Sequence, residues 1–526
     1  MGLPYRRGAS SSPPSGVYNE PVSWSWRRLN NRQKKVVVLS SICSVGIIVM
    51  WTQLALAAMV ATSSVAIRPV IRDFTESTNA SQFRLAFNGP GGMTVSWNSR
   101  DRESNPVVYY GLDPHNLNYT SKPGVSSKYQ TAVTYDNHVE LTGLKPFTKY
   151  YYRVSGQSDD IDPEQEEFYF VTAKEVGDET PFTVAAFGDL GIVTGNALQK
   201  GIPATFGALY NTRDQYDFMW HAGDFAYADD WIDEELEGVY PVGYGISDGI
   251  KTYENILASF YEHMTPMTKN APYMAGPGNH EADCLEPPVK DKYNLTLCPD
   301  SQRNFTGYQH HFSMPTKGQN SDKFHKNMWY SWDYGMVHFV QINTETDHGE
   351  GRVAPDEKKD GLDSGPFGYP NQQLEWLEED LAAVDRSKTP WVVVAGHRPS
   401  YSSENSSICI TCREAFEDIL YKHEVDLVWA GHVHYYERDW PVYKNVTDSN
   451  KLNNPRAPWY ITSGAAGNFE GHSIPDDTYP DYVAFINNDQ FGFSKLIFHN
   501  STHLEQQFVS SETGQIIDKA VLYKEH

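Results

Sequence analysis

Five times along this chain an apolar run ends in glycine followed by a side chain able to bind a metal ion. FTVAAF leads into GDLG with Asp189, YDFMWHA into GDFAY with Asp224 and Tyr227, and APYMAGP into GNHE with Asn279, His280 and Glu281. WVVVA leads into GH with His397, and VDLVWA into GHVH with His432 and His434. One such ending is an ordinary strand-to-turn junction. Five with the same grammar point to a metal site, because glycine lets the backbone turn sharply and ligands gather beyond the carboxyl ends of strands in open α/β sheets. Oxygen donors from Asp189, Asp224 and Asn279, with imidazoles from His397, His432 and His434, suit first-row transition metals rather than Ca²⁺ or Mg²⁺ alone. The set is too large for one ion, and a carboxylate bridging two ions roughly 3.5–4 Å apart is the expected arrangement. Side chains two apart on an extended segment face the same way, so each histidine of GHVH can serve a different ion.

These motifs need a frame of buried strands. From about residue 180 to 526, apolar runs alternate with helical stretches, as in an α/β domain with a buried sheet. QQLEWLEEDLAAVDR (372–386) carries Leu374, Leu377, Leu381 and Val384 at helical spacing, and REAFEDILYKH (413–423) reads as a second helix. The segment 491–524 alternates like antiparallel strands and completes the same domain. Residues 70–175 read differently. QFRLAF, MTVSW, VVYYG, YQTAVTY, HVELTGL, KYYYRVS and EFYFVTA are short runs between turn residues, the pattern of a β-sandwich. LKPFTKYYYRV (144–154) resembles the tyrosine corner of a fibronectin type III domain with Tyr150 at the corner, and Trp97 matches that family's core tryptophan. KEVGDETP (174–181) connects the two units.

The formal net charge of −24 argues against nucleic-acid or anionic-membrane partners for the main body. Residues 1–35 are the exception, a basic tail with seven Lys or Arg against one Glu. It runs into VVVLSSICSVGIIVMWTQLALAAMVA (36–61), which has no charged residue and is long enough to span a bilayer. Lys34 and Lys35 would keep the tail cytoplasmic, making residues 36–62 a type II anchor. A cleaved signal peptide is the alternative, with SSVA (63–66) at the cleavage site and a secreted product. Either reading takes the rest of the chain out of the cytoplasm. Asn-x-Ser/Thr acceptors at Asn79, Asn118, Asn294, Asn304, Asn405, Asn445 and Asn500 agree with a glycosylated surface. Outside the cell, Cys284 with Cys298 and Cys409 with Cys412 read as two short-loop disulfides. Cys409-Ile-Thr-Cys412 could instead be a redox or zinc pair. His310-His311 reads as an exposed pair.

Asp-x-Gly, Gly-Asp-x-x-Tyr, Gly-Asn-His-Glu, Val-x-x-His (Val394 to His397) and Gly-His-x-His together resemble the signature of the purple acid phosphatases, over roughly residues 70–526. Generic calcineurin-like phosphoesterases usually carry Asp-x-His at the first motif and lack the tyrosine; Gly191 and Tyr227 point to the purple branch. The resemblance implies an α/β metallophosphoesterase sandwich, mixed sheets flanked by helices, preceded by the all-β fibronectin III-like sandwich. It implies that Asp189, Tyr227 and His434 bind Fe(III), that Asn279, His397 and His432 bind a divalent Fe, Zn or Mn, and that Asp224 bridges them. The activity implied is hydrolysis of phosphate monoesters at acidic pH by a metal-bound hydroxide, with His280 contacting phosphate or protonating the leaving group. Plant members carry adjacent substrate-binding histidines after Val-x-x-His. Here RPSYSSENSSICITC (398–412) has none, and Tyr401 and Glu404 are the candidate replacements. A phytase or phosphodiesterase using the same centre is the alternative enzyme. A catalytically dead cell-surface binding protein is the non-enzyme alternative, and it should have lost ligands that this chain retains. Oligomeric state is left open by the sequence.

Overall fold

The computed structural model describes residues 80–157, 167–193, 203–236, 248–284, 298–315, 327–350 and 369–526. The basic tail, the apolar segment 36–62 and the acceptors Asn79 and Asn294 lie outside the described residues. No helix among the described residues is long and apolar enough to cross a membrane.

The leading unit is two four-stranded antiparallel sheets. One has Ser81–Phe87, Met93–Ser99, Tyr135–Leu141 and Val125–Ser127 in that order; the other has Tyr119–Thr120, Val108–Gly111, Lys149–Val154 and Tyr169–Val171. Val95, Trp97, Val139 and Phe170 are fully buried between them, the inward set expected of alternating strands. The Tyr150 hydroxyl accepts from the Lys145 backbone N–H at 3.1 Å, the bond of a tyrosine corner. Tyr150→Phe keeps the ring against Phe170 but leaves that N–H without its partner. The expected cost is about 1 kcal/mol, read by denaturant unfolding.

The run YQTAVTY does not form its own strand; only Tyr135 joins one. Its first residue, Tyr129, instead reaches across to the long helix Gly249–Thr268, donating to Glu254 at 2.5 Å. That helix carries an apolar stripe of Tyr253, Ile256, Leu257, Phe260, Tyr261 and Met264, and it packs on the sandwich strand Ser81–Phe87, with Phe260 against Phe225 and His221. The His310-His311 expectation is overturned. His311 is buried, its ring stacked on Tyr261 at 3.3 Å and its Nδ1 3.2 Å from Asp136, which also pairs with Arg84. Arg84 in turn donates to the His311 carbonyl, so a buried polar knot ties sandwich to catalytic unit.

Two mixed sheets form the larger unit. Tyr273–Gly276, Phe218–Ala222 and Phe182–Phe187 run parallel and continue into the antiparallel strands Gly492–Asn500, His503–Ser510 and Ile516–Tyr523. The second sheet has Val337–Gln341, Trp391–Ala395, Leu427–Ala430 and Trp459–Ser463 parallel at its centre. Tyr330–Tyr334 edges it on one side, and Tyr436–Asp439 then Val483–Asn487 on the other, all antiparallel. Aromatic rings join the two facing sheets: Trp220 lies 5.5 Å from Phe339, and Phe339 lies 5.8 Å from Phe498. Strand Trp391–Ala395 shows why it reads as a continuous apolar run. Trp391, Val393 and Ala395 face the inter-sheet core, while Val392 and Val394 face a second core with Leu377, Leu381, Phe416 and Leu420. Those leucines and Phe416 come from helices Gln372–Ala382 and Ile410–Lys422, slightly offset from their sequence-based bounds.

Cys284 is bonded to Cys298, and Cys409 to Cys412 in the first turn of the helix Ile410–Lys422. Asn118, Asn405, Asn445 and Asn500 are exposed and Asn304 is half-buried.

Candidate metal centre

All five glycine-terminated runs are strands, three in one sheet and two in the other, and their carboxyl ends converge. The first two turns are stitched together. Leu190–Gly191 pairs parallel with Phe225–Ala226, and the Asp189 N–H donates to the Gly223 carbonyl at 3.2 Å. Glu281 fastens the third turn to the second, accepting from the N–H groups of Asp224, Phe225 and Gly278. Side chains are brought so close that glycine is required behind them. A Cβ at Gly278 would stand 2.2 Å from Asp224 Oδ1, and one at Gly431 would stand 2.4 Å from Asp189 Oδ2.

Asp189, Asp224, Ala226, Tyr227 and His432 all have positive φ, between 57° and 68°. Such backbone costs of order 1–3 kcal/mol per residue and persists where the surroundings over-determine it. For His432 this corrects the reason given above. GHVH is not extended but tightly coiled, with Val433 N–H donating to Gly431 and Tyr435 N–H to Val433. The coil still sends the two rings to different neighbours.

His434 Nε2 lies 2.9 Å from the Tyr227 hydroxyl and 3.4 Å from Asp189 Oδ1, and Tyr227 is 3.3 Å from the same Asp189 oxygen. His397 Nε2 lies 3.1 Å from Asn279 Oδ1 and 2.9 Å from Asp224 Oδ2. The latter oxygen is also 3.4 Å from Tyr227, so Asp224 stands between the two groups. His432 joins the second group, with ligand atoms of Asp224, His397 and His432 within 4.8 Å of one another. Its Nε2 is 3.1 Å from the Arg398 guanidinium.

Charge and protonation fit cations here. Burial and the Arg398 guanidinium hold His432 well below the usual imidazole range, hence neutral. Burial, then Asp189 and Asp224, push the Tyr227 phenol well above its ordinary value, so only a cation would ionise it. Burial opposes charge on His397, but Asp224 raises it to about 9, a proton standing where a metal would sit. Its Nδ1 faces the Ala222 carbonyl at 3.0 Å, the anchoring that metal-binding histidines use to present Nε2.

His280 lies beside these groups. Its Nδ1 is 2.9 Å from Asp229 Oδ1 and its ring centre 4.1 Å from that of Tyr227, while Nε2 is 3.9 Å from Asp224 Oδ2. Tyr401 is not part of the cluster. It is buried against Tyr460 and Tyr482 with its hydroxyl on Glu417, a packing role. Glu404 immediately precedes the short turn Asn405–Ser407, and its side chain makes no capping bond there. Sequence reasoning missed Arg398, Asp229 and Asn468, whose side-chain N–H₂ is 3.2 Å from His434 Nε2. The first two could have been found by adjacency, one residue after His397 and two after Tyr227.

Three family models match the chain: purple acid phosphatase N-terminal domain at residues 80–172, calcineurin-like phosphoesterase at 182–436, and iron/zinc purple acid phosphatase-like protein C at 457–519. Acid phosphatase A of Cryphonectria parasitica is 38% identical over 86% of this chain and 93% of its own length. An acid phosphatase of Aspergillus ficuum is 33% identical over 80% of this chain and 82% of its own. The solved purple acid phosphatase from yellow lupin seeds shares the fold, with a TM-score of 0.65 and 23% identity over 85% of this chain and 75% of that one. The strand-end cluster and these relatives lead to one conclusion: the chain belongs to the purple acid phosphatase family of dinuclear metallophosphoesterases and is an acid phosphatase acting on phosphate esters.

Proposed function

We propose that the centre holds Fe(III) on Asp189, Tyr227 and His434 and a divalent Fe, Zn or Mn on Asn279, His397 and His432, with Asp224 shared. The observation that carries this is the shared carboxylate: Asp224 Oδ2 is within 2.9 Å of His397 Nε2 and 3.4 Å of the Tyr227 hydroxyl. Two cations held there would polarise the phosphoryl oxygens, activate water and offset the charge that builds in the transition state. The chain's own part is to fix that geometry and to handle the proton of the leaving group. Asp229 takes His280 Nδ1, which leaves Nε2 as the atom able to give a proton to the departing alkoxide. The substrates are phosphate monoesters.

Two disulfides and exposed acceptors at Asn118, Asn405, Asn445 and Asn500 support an extracytoplasmic body, membrane-anchored or secreted.

Purified enzyme is expected to carry two metals per chain, one of them iron, and a tyrosinate absorption band in the visible. Tyr227→Phe should lose the band while circular dichroism shows an intact fold. A colourless wild type with one bound zinc would sink the assignment.

A further inference from the structure

The loop that follows His397 is fastened at a buried pair of serines. Ser402 and Ser403 are both fully buried. The Ser403 N–H donates to both Glu437 oxygens at 3.0 Å, and its hydroxyl donates to the same carboxylate. The Tyr435 hydroxyl shares hydrogen bonds with Ser402 Oγ at 2.8 Å and Ser403 Oγ at 2.9 Å. The Ser403 carbonyl accepts from the Asp476 N–H at 3.2 Å, and three residues earlier Ser473 Oγ accepts from the His434 N–H at 3.1 Å. Glu437 thus ties the loop after His397 to the strand after His434. Asp439 stands two residues further along that strand, on the same face, and its carboxyl hydrogen-bonds Glu437. Both are buried, and Asp439 Oδ1 has no hydrogen-bond partner among the described residues. Arg438, between them, faces the other way and is bonded to Asp518. The groups facing the pair from other elements are the hydroxyls of Tyr460 and Tyr482. Behind those rings lie Tyr401, its partner Glu417, and Arg413, whose guanidinium is 5.3 Å from the centre of the Tyr401 ring.

We propose that Glu437 is a positioning residue for the phosphatase reaction, and that it shares one proton with Asp439 whose loss loosens the loop after His397. The inference needs the phosphatase activity alone, whichever metals the centre holds. Two carboxyl groups in contact and out of water do not both ionise; one keeps its proton and donates it to the other. Asp439 is the donor. Burial, then the Glu437 charge beside it, push Asp439 well above the usual carboxylate range, and burial raises Glu437 as well. With that proton in place, Glu437 keeps a single charge that the Ser403 donors and Asp439 satisfy. When the proton leaves, two like charges are buried together and the anchor at Ser403 weakens. The native pair holds its proton at pH values where the unfolded chain has lost it. Stability from the pair therefore falls as pH rises from the ordinary carboxyl range toward the native value. Part of the enzyme's preference for acid is then built into this anchor rather than into the metals.

The test uses the metal-loaded wild type, Asp439→Asn and Glu437→Gln. Each variant replaces the shared proton by an amide that donates at every pH and keeps the side-chain shape. Metal content, the pH profile of kcat/KM and hydrogen exchange of the peptide spanning residues 399–405 are measured together. In wild type, protection of that peptide, corrected for intrinsic exchange, should fall as pH rises from about 5 to about 8, and kcat/KM should fall with it. In both variants protection should stay level. Their ratio of kcat/KM at the high end to that at the low end should exceed the wild-type ratio by about tenfold, the effect of moving the limiting pKa up by one unit. A merely structural role would scale activity equally at every pH. Variant profiles and protection that superimpose on wild type overturn the proposal, and so does wild-type protection that does not change across the range. If Asp439→Asn does not fold, Glu437→Gln carries the same readings. A wild type holding fewer than two metals overturns the two-cation reading instead and leaves the result for the loop standing.

Discussion

Asp224→Ala is expected to lose at least one metal and to lower turnover by roughly 10³-fold or more, the equivalent of the several kcal/mol that metal assistance contributes. Three things fail at once. The carboxylate next to His397 and Tyr227 goes, so on the proposed assignment both metal sites would lose a donor. The negative charge between two cations goes as well; even at an effective dielectric near 20, two unit charges about 4 Å apart repel by about 4 kcal/mol. The His280 backbone N–H, which donates to Asp224 Oδ1 at 3.1 Å, also loses its acceptor and loosens the GNHE turn. Asp224→Asn separates these causes. It keeps an oxygen for the turn but removes the charge, so it should retain the fold and still lose metal. Metal analysis of both variants decides: two ions per chain and near-normal activity in either one would mean that Asp224 is not shared.

The candidate site was legible because its residues follow strands, and strands announce their ends. A buried strand is a run of apolar residues on both faces, as Trp391–Ala395 is between two cores, and glycine marks where it stops. The order of strands in the two sheets was not legible, since neighbours such as Phe182–Phe187 and Gly492–Asn500 are some three hundred residues apart in the chain. Helix Gly249–Thr268 carries Tyr253, Ile256, Leu257, Phe260, Tyr261 and Met264 at helical spacing, a signal that sequence reasoning passed over; what the spacing could not show is that Glu254 and Asn255, on the polar side, are buried as well. His311 looked exposed because a histidine pair carries no signal of burial; Asp136 and Tyr261, which enclose it, come from other elements. Asp229 was missed because its value lies in what it holds, the imidazole of His280, and that contact is spatial.

That contact makes the second large effect specific. His280→Ala should keep both metals, since no donor of either group is removed, and should lower turnover by about 10²–10⁴-fold, the usual worth of general acid catalysis. The Asp229 carboxylate, on the far side of the ring, keeps the imidazole oriented, and although burial opposes its charge, Asp229 and Asp224 hold it well above the usual imidazole range. A protonated Nε2 facing the centre matters most when the leaving alkoxide is too basic to depart alone. The loss should therefore be largest for alkyl phosphates and smallest for aryl phosphates with acidic phenols. A plot of log kcat against leaving-group pKa should be shallow in wild type and steep in His280→Ala. Parallel lines displaced by a constant amount would mean that His280 binds phosphate instead of giving a proton. Coincident lines would make it a structural residue, its ring serving only to pack against Tyr227.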